Sequence, residues 1–214
     1  MKENNKMQTE QEIIENFQKL YYYKGTTWQN TSWMGVKVQK YPTDLHIYQE
    51  IIYEVRPDVI IETGTAEGGS AYYMAHLCDI LGNGKIITID IETNNKRPFH
   101  PRIKYIQGSS IDLEIIKLVE DSINDNMKKL VILDSDHTQN HVRQELALYS
   151  KFVTKNSYLI VEDGIVNHPV LPEYGPGPYE AIEEFMKDNT DFIMDKSREK
   201  FMLSQNPNGY LKKL

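Results

Sequence analysis

The sequence of 214 residues contains a single cysteine, Cys78. With one thiol the chain forms no disulfide of its own and no thiolate metal cluster, which fits a reducing compartment. It has no uncharged apolar run near the ~20 residues a membrane helix needs. Internal repeats, low-complexity tracts and Pro/Ser/Gly linkers are also absent. The opening residues, MKENNKMQTEQE, are polar and lack the apolar core of a signal peptide. Positive charge is scarce: 24 Lys and Arg stand against 31 Asp and Glu, a formal net charge of −7. A chain without a broad positive face is not suited to wrapping nucleic acid or anionic membrane, although a local basic pocket could still take a small anion. These absences leave a cytoplasmic, acidic protein with no nucleic-acid or membrane partner. Its 40% hydrophobic content is enough for a core, and its length suits one domain.

The first 45 residues differ from the rest. Residues 10–23 read as a short helix carrying Ile13, Ile14, Phe17 and Leu20. An irregular segment, 24–42, follows with Trp28 and Trp33, and Asp44 is expected to N-cap a helix bearing Leu45, Ile47, Tyr48, Ile51 and Ile52. From residue 57, short apolar runs (58–63, 85–91, 102–107, 129–135 and 157–163) alternate with helical stretches near 69–81, 111–127, 137–153 and 178–188. Unbroken β-branched runs suit strands covered on both faces, and strand–helix alternation predicts a parallel, doubly wound sheet. Two further extended runs, 191–196 and 199–214, have no helix between them and predict a closing antiparallel hairpin. The expected fold is therefore α/β: a Rossmann-like, mostly parallel seven-stranded sheet with a C-terminal hairpin. An N-terminal arm, 1–45, precedes a domain at 46–214.

In such sheets ligands sit at the carboxyl ends of the strands. The first run ends in Glu62, Thr63, Gly64, Thr65, Ala66, Glu67, Gly68, Gly69 and Ser70. Against the dinucleotide fingerprint G-x-G-x-x-G, the middle place is Ala66, whose methyl stands where a pyrophosphate must touch the backbone. The E-x-G-x-x-x-G form instead resembles the S-adenosylmethionine (SAM) loop of methyltransferases. Glu62, Gly64, Thr65, Gly68, Gly69 and Ser70 are candidate cofactor contacts. The second run ends in Asp90, placed to hold a ribose diol, with Glu92 as the alternate. The third ends in Gly108, Ser109 and Ser110, whose hydroxyls suit an adenine edge, while Asp112 either joins them or caps the next helix.

The fourth and fifth runs end in Asp134-Ser135-Asp136-His137 and Glu162-Asp163. Four carboxylates at adjacent strand ends repel unless a cation offsets them. An oxygen-rich set without cysteine suits a hard divalent ion, Mg2+ first, with Mn2+ or Ca2+ as alternatives. Asp136 has a second reading as a helix cap. His137 and His141, spaced i, i+4, form with Glu145 either a zinc-like set or a polar helix face, and the face is favoured because nothing else converges there. His137 sits at the mouth of the site, as a general base or a substrate contact.

The segments WMGVK (33–37), KYPTDLHIYQE (40–50), RPDVIIETGTAEGGS (56–70), LDSDH (133–137), YLIVED (158–163), GPGPYEAI (175–182) and NPNGYLK (206–212) resemble the cephalosporin hydroxylase / rhamnosyl O-methyltransferase family. The likeness runs from about residue 28 to the C-terminus. It implies a SAM-dependent, Mg2+-assisted methyltransferase domain over 46–214. Asp136, Glu162 and Asp163 are implied as metal ligands, with Asp134 able to replace Asp136 or to stand on the cofactor side with the glycine loop, Asp90, Ser109 and Ser110. The acceptor would be a small molecule or sugar hydroxyl in polysaccharide or antibiotic biosynthesis, with His137 or Lys40 taking its proton. The loop at 164–177 is a candidate lid. Trp28, Trp33 and Tyr41 are placed either to stack on a sugar or to pin the arm, which could also dock on a second subunit to give a homo-oligomer. Rival readings are a non-catalytic nucleotide-binding module and an NAD-dependent dehydrogenase, the latter weakened by Ala66.

Overall fold

The computed structural model of the chain describes residues 8–25 and 27–214. The first seven residues of the expected arm, and with them part of the polar opening stretch, lie outside the described residues. Helix α1 (Glu10–Tyr23) begins at a capping box in which Thr9 and Glu12 satisfy each other's backbone N–H groups. Its apolar stripe does not enter the core: Ile13, Phe17 and Leu20 are exposed, and Gln18 is its buried residue. A two-residue hairpin, β1 (Ser32–Trp33) and β2 (Val36–Lys37), follows in the segment expected to be irregular.

Helix α2 (Pro42–Val55) starts three residues earlier than expected, with Pro42 in its first turn and Tyr41 as its cap residue. Asp44 is thus no N-cap. It lies inside the first turn, buried, and accepts hydrogen bonds from the Ser204 hydroxyl, the Gln205 N–H and the Tyr210 hydroxyl. The expected arm–domain boundary at 45/46 falls inside this helix, whose Ile47 to Val55 pack against the sheet.

The sheet is built from β3 (Val59–Thr63), β4 (Lys85–Asp90), β5 (Ile103–Gln107), β6 (Lys129–Leu133), β7 (Tyr158–Val161), β8 (Phe192–Met194) and β9 (Tyr210–Lys213), in the spatial order β5-β4-β3-β6-β7-β9-β8. The first five in that order are parallel, and β9 runs antiparallel between β7 and β8. This is the expected seven-stranded fold with its closing hairpin. Residues of one strand alternate between two apolar layers. Val59 and Ile61 face the layer of α4 (Leu113–Glu120), α5 (Gln139–Tyr149) and α6 (Pro178–Asp188), while Ile60 faces α2 and α3 (Gly69–Leu81). Both faces are covered, which is why the strand sequences are apolar throughout rather than alternating. Cys78 packs in the second layer, where burial pushes its thiol up to about 11.

Strand order reverses between β3 and β6. Their carboxyl ends part there and open the crevice in which such sheets hold ligands. No helix among the described residues is long and apolar enough to cross a membrane.

Candidate active site

A cleft of about 650 Å³ runs along this edge. One end is lined by the glycine loop, Asp90 and Gly108 to Ser110, the other by Asp134, His137 and Asp163, with Tyr22, Trp28, Leu171 and Tyr174 at its rim. Gly64 has a φ of +81°, and a Cβ there would lie 1.7 Å from the Asp134 carbonyl oxygen. Only glycine lets the loop after β3 cross the end of β6 so closely. Gly69, inside α3, meets the hairpin instead: its Cβ would lie 1.9 Å from the Lys37 carbonyl. These glycines are required by the protein's own backbone.

Asp90 holds the loop. Its Oδ2 accepts from the Thr65 and Ala66 N–H groups at 3.0 and 2.8 Å and pairs with Arg97 at 3.0 Å, and Arg97 also donates to the Ala66 carbonyl. Arg97 was not singled out from the sequence, because it lies in a polar loop without periodicity. Glu62 is fully buried beneath the loop. It accepts from the Thr88 hydroxyl at 2.6 Å. Burial pushes its carboxyl up to about 7, against Lys40 and nearby hydroxyls. Ser70 and Ser109 line the cleft near the loop.

The acidic end brings together some of the expected residues and leaves others out. Ligand atoms of Asp134, His137 and Asp163 all lie within 4.8 Å of one another, with His137 Nε2 3.4 Å from Asp134 and 3.2 Å from Asp163. Asp136 is not among them. Its carboxylate turns back to accept the Thr138 N–H at 2.7 Å, leading the chain into α5 from the exposed surface. Glu162 is close by but engaged elsewhere: one oxygen accepts from Lys40 at 2.5 Å and the other from the Tyr48 hydroxyl. Burial and Asp134 push its carboxyl up, against those hydrogen bonds. Asp163, with φ +55°, is steadied by Gln205, which donates to Oδ1 at 3.2 Å, and by Asn206, which accepts its N–H. Those two residues come from the long β8–β9 connection, a contact no local pattern reveals.

Lys40, expected as a proton acceptor, is 3% exposed and lies between Asp134 (2.7 Å) and Glu162 (2.5 Å). Burial would lower its pKa, but the surrounding carboxylates outweigh burial and raise it, so Lys40 is a fixed cation. That removes it as a base. His137 is likewise raised, to about 9, because Asp163 and Asp134 outweigh its burial. Burial acts to raise Asp134, yet Lys40 and His137 hold it below the ordinary carboxylate range.

His141 and Glu145 are not a surface face. Glu145 is fully buried and accepts from the Ser135 hydroxyl at 2.7 Å, and His141 Nε2 lies 3.1 Å from both Ser110 and Ser135. Together with Tyr149, which donates to the Ser110 carbonyl, they tie the end of β5 to the end of β6 behind the cleft. Asp112 caps α4 through the Glu114 N–H.

The arm and the 164–177 loop close the rim. Tyr21, Tyr22 and Trp28 pack with Tyr41, Ile165, Val170 and Leu171 in a third small apolar cluster, and the Tyr23 hydroxyl accepts the Leu171 N–H at 2.8 Å. Trp33 lies away from it, edge-on to Tyr73.

The model of the family described as Rhamnosyl O-methyltransferase/CmcI matches residues 25–214. The chain belongs to that family. The rhamnosyl O-methyltransferase of Mycobacterium tuberculosis (strain ATCC 25618 / H37Rv) is 38% identical over 210 residues, covering 93% of this chain and 84% of that protein. The rhamnosyl O-methyltransferase of Mycobacterium leprae (strain TN) is 37% identical over 206 residues, covering 93% and 90%. Among solved structures, apo CmcI superposes with a TM-score of 0.66 at 22% identity over 87% of this chain and 77% of that one. A CmcI structure with Mg and SAM gives 0.65 at 23% identity over the same shares. These likenesses are of fold.

Proposed function

We propose that this chain is a SAM-dependent, divalent-cation-assisted O-methyltransferase acting on a sugar hydroxyl, with a rhamnosyl unit as the favoured acceptor. The observation that carries the reading is one continuous cleft, with a glycine loop and Asp90 at one end and Asp134, His137 and Asp163 at the other. Membership of the rhamnosyl O-methyltransferase/CmcI family supports the reaction, and the names of the mycobacterial relatives support the acceptor.

The residues present suit both groups. A cationic cofactor suits an edge rich in carboxylates, and the cleft is large enough for a ligand of that size. The converging Asp134 and Asp163 oxygens, with one imidazole, suit a hard divalent ion. Such an ion, when bound, acts as a Lewis acid that lowers the pKa of a coordinated hydroxyl. The chain's own residues do the rest. Asp134 and Asp163 would hold the ion, the loop and Asp90 would orient the cofactor, and the rim of Tyr22, Trp28 and Leu171 would screen the acceptor from water. His137, at the junction of the two ends, is placed to take the acceptor proton once a bound cation has displaced its own.

Calorimetry with S-adenosylhomocysteine and with NAD, followed by labelled methyl transfer to rhamnosylated and non-rhamnosylated acceptors, tests this reading. Binding of S-adenosylhomocysteine and divalent-dependent transfer to the rhamnosyl acceptor are expected. Tight NAD binding with no response to S-adenosylhomocysteine would sink the assignment.

A further inference from the structure

Asp44 is buried in the first turn of α2, 1% exposed, and is not among the residues lining the cleft. It collects three donors. Oδ1 accepts from the Ser204 and Tyr210 hydroxyls at 2.6 and 2.8 Å, and Oδ2 accepts the Gln205 N–H at 2.8 Å.

Two arms lead from this carboxylate to Asp163. In the first, the Gln205 backbone rests on Asp44 while its side chain reaches the other way. Its Oε1 accepts the Tyr41 N–H at 2.9 Å, so Nε2 is the end that donates to Asp163 Oδ1 at 3.2 Å. In the second, Ser204 Oγ accepts the Asn206 N–H at 2.9 Å and the Tyr210 hydroxyl accepts from Asn206 Nδ2 at 3.4 Å. That leaves Asn206 Oδ1 to accept the Asp163 N–H at 3.2 Å. Gln205 and Asn206 are 3% and 0% exposed, and a Cβ on Gly209 would lie 2.0 Å from the Val161 carbonyl, so the β8–β9 connection lies tight against the end of β7. Asp163 needs such a brace: a φ of +55° costs a non-glycine residue free energy and persists where the surroundings over-determine it. With Oδ1 held by Gln205, Oδ2 faces His137 Nε2 at 3.2 Å.

We propose that Asp44 is a positioning residue for Asp163, acting through Gln205 and Asn206 to fix both the backbone and the carboxylate of that acid. The inference rests on the reading of this edge as a divalent-cation site with Asp163 among its ligands. An outer partner that orients a ligating carboxylate raises metal affinity because the ligand is already in place when the ion arrives. Asn at position 44 would turn one acceptor atom into a donor, set against either the Gln205 N–H or the two hydroxyls, and so would release an arm.

The test is calorimetric titration of MnCl2 into wild type, Asp44→Asn, Gln205→Met and Thr43→Val, with melting temperatures in EDTA. Gln205→Met keeps the backbone N–H that Asp44 accepts and loses only the donor to Asp163. Thr43→Val removes a hydroxyl that donates to the Leu203 carbonyl at 2.6 Å, so it loosens the same connection off the route to Asp163. Asp44→Asn and Gln205→Met are expected to bind Mn2+ about tenfold more weakly, and Thr43→Val to stay within about threefold of wild type. Lower melting temperatures with unchanged Mn2+ affinity would make Asp44 a purely structural residue and overturn the proposal. An equal loss in Thr43→Val would overturn it too, by showing a general loosening. If Asp44→Asn does not fold, wild-type Mn2+ affinity in Gln205→Met still refutes the route. A wild type that takes up no Mn2+ refutes the divalent-cation reading and the inference with it, whereas Mn2+ binding that is equal in all four proteins refutes the inference alone. S-adenosylhomocysteine affinity, expected to vary by less than about threefold across the set, tests the methyltransferase reading separately.

Discussion

At the scale of single residues, Asp134 and Asp136 are two positions apart and have opposite surroundings. Asp134 ends β6 with both oxygens directed to charged partners inside the edge, while Asp136 is spent on the Thr138 N–H at the surface. Asp134→Asn is therefore expected to lower kcat by at least about 100-fold and to abolish the Mg2+ response, whereas Asp136→Asn stays within about threefold. Steady-state methyl transfer across a Mg2+ series checks both, and equal losses would contradict this division of roles. The sequence made both acids legible as candidates, because acids at parallel strand ends must share a small volume. It could not choose between them, since the choice depends on where the backbone turns after β6. Lys40 was legible as a candidate base on the N-terminal segment; its contacts with Asp134 and Glu162, 94 and 122 residues further on, were not.

At the scale of elements, the parallel strands were readable because both of their faces are covered and their sequences are continuously apolar. The β1–β2 hairpin was not, because two residues per strand carry no period. Yet that hairpin positions the site: the Lys37 carbonyl sits where a Gly69 side chain would be, and Lys40 follows three residues later. Gly69→Ala must push the hairpin away from α3, and is expected to cost about 2 kcal/mol of stability, which chemical denaturation reads. The arm and the 164–177 loop make a second such pair, joined by Tyr23 and the cluster around Trp28. Trp28→Ala loosens that rim without touching the glycine loop. The KM for the acceptor should rise about tenfold, while the KM for SAM changes by less than about twofold. Equal effects on both would show that Trp28 serves the fold as a whole rather than the rim.

At the scale of the whole molecule, the net charge of −7 is unevenly placed. Four acids, Asp44, Glu62, Glu145 and Glu162, are buried, and burial of acids makes stability depend on pH. Burial raises Asp44 from 3.8 to about 6 and Glu62 from 4.5 to about 7. An acid whose folded pKa is raised stabilises the fold fully below its unfolded value, and that contribution is lost as pH rises to the folded value. At about 1.4 kcal/mol per pKa unit, the Glu62 shift corresponds to about 3 kcal/mol lost between pH 4.5 and 7. His137, raised from 6.5 to about 9 by Asp163 and Asp134 against its burial, adds a loss between those values. Acids held low act in the opposite sense: Asp79, hydrogen-bonded to Arg102, and Glu54, bonded to Arg198, stabilise above about pH 4 and lose that contribution as pH falls through it. The melting temperature in EDTA should therefore peak near pH 5 and fall towards pH 9. Glu62→Gln removes the titrating group between 4.5 and 7, so its melting curve should be flatter there than that of wild type. Saturating MgCl2 should flatten the branch above 6.5, because a divalent ion takes over from protonated His137 in offsetting Asp134 and Asp163. A wild-type melting temperature that rises steadily from pH 5 to 9 in EDTA would show that these buried acids are ionised at no cost, and would contradict the electrostatic account of the cleft edge.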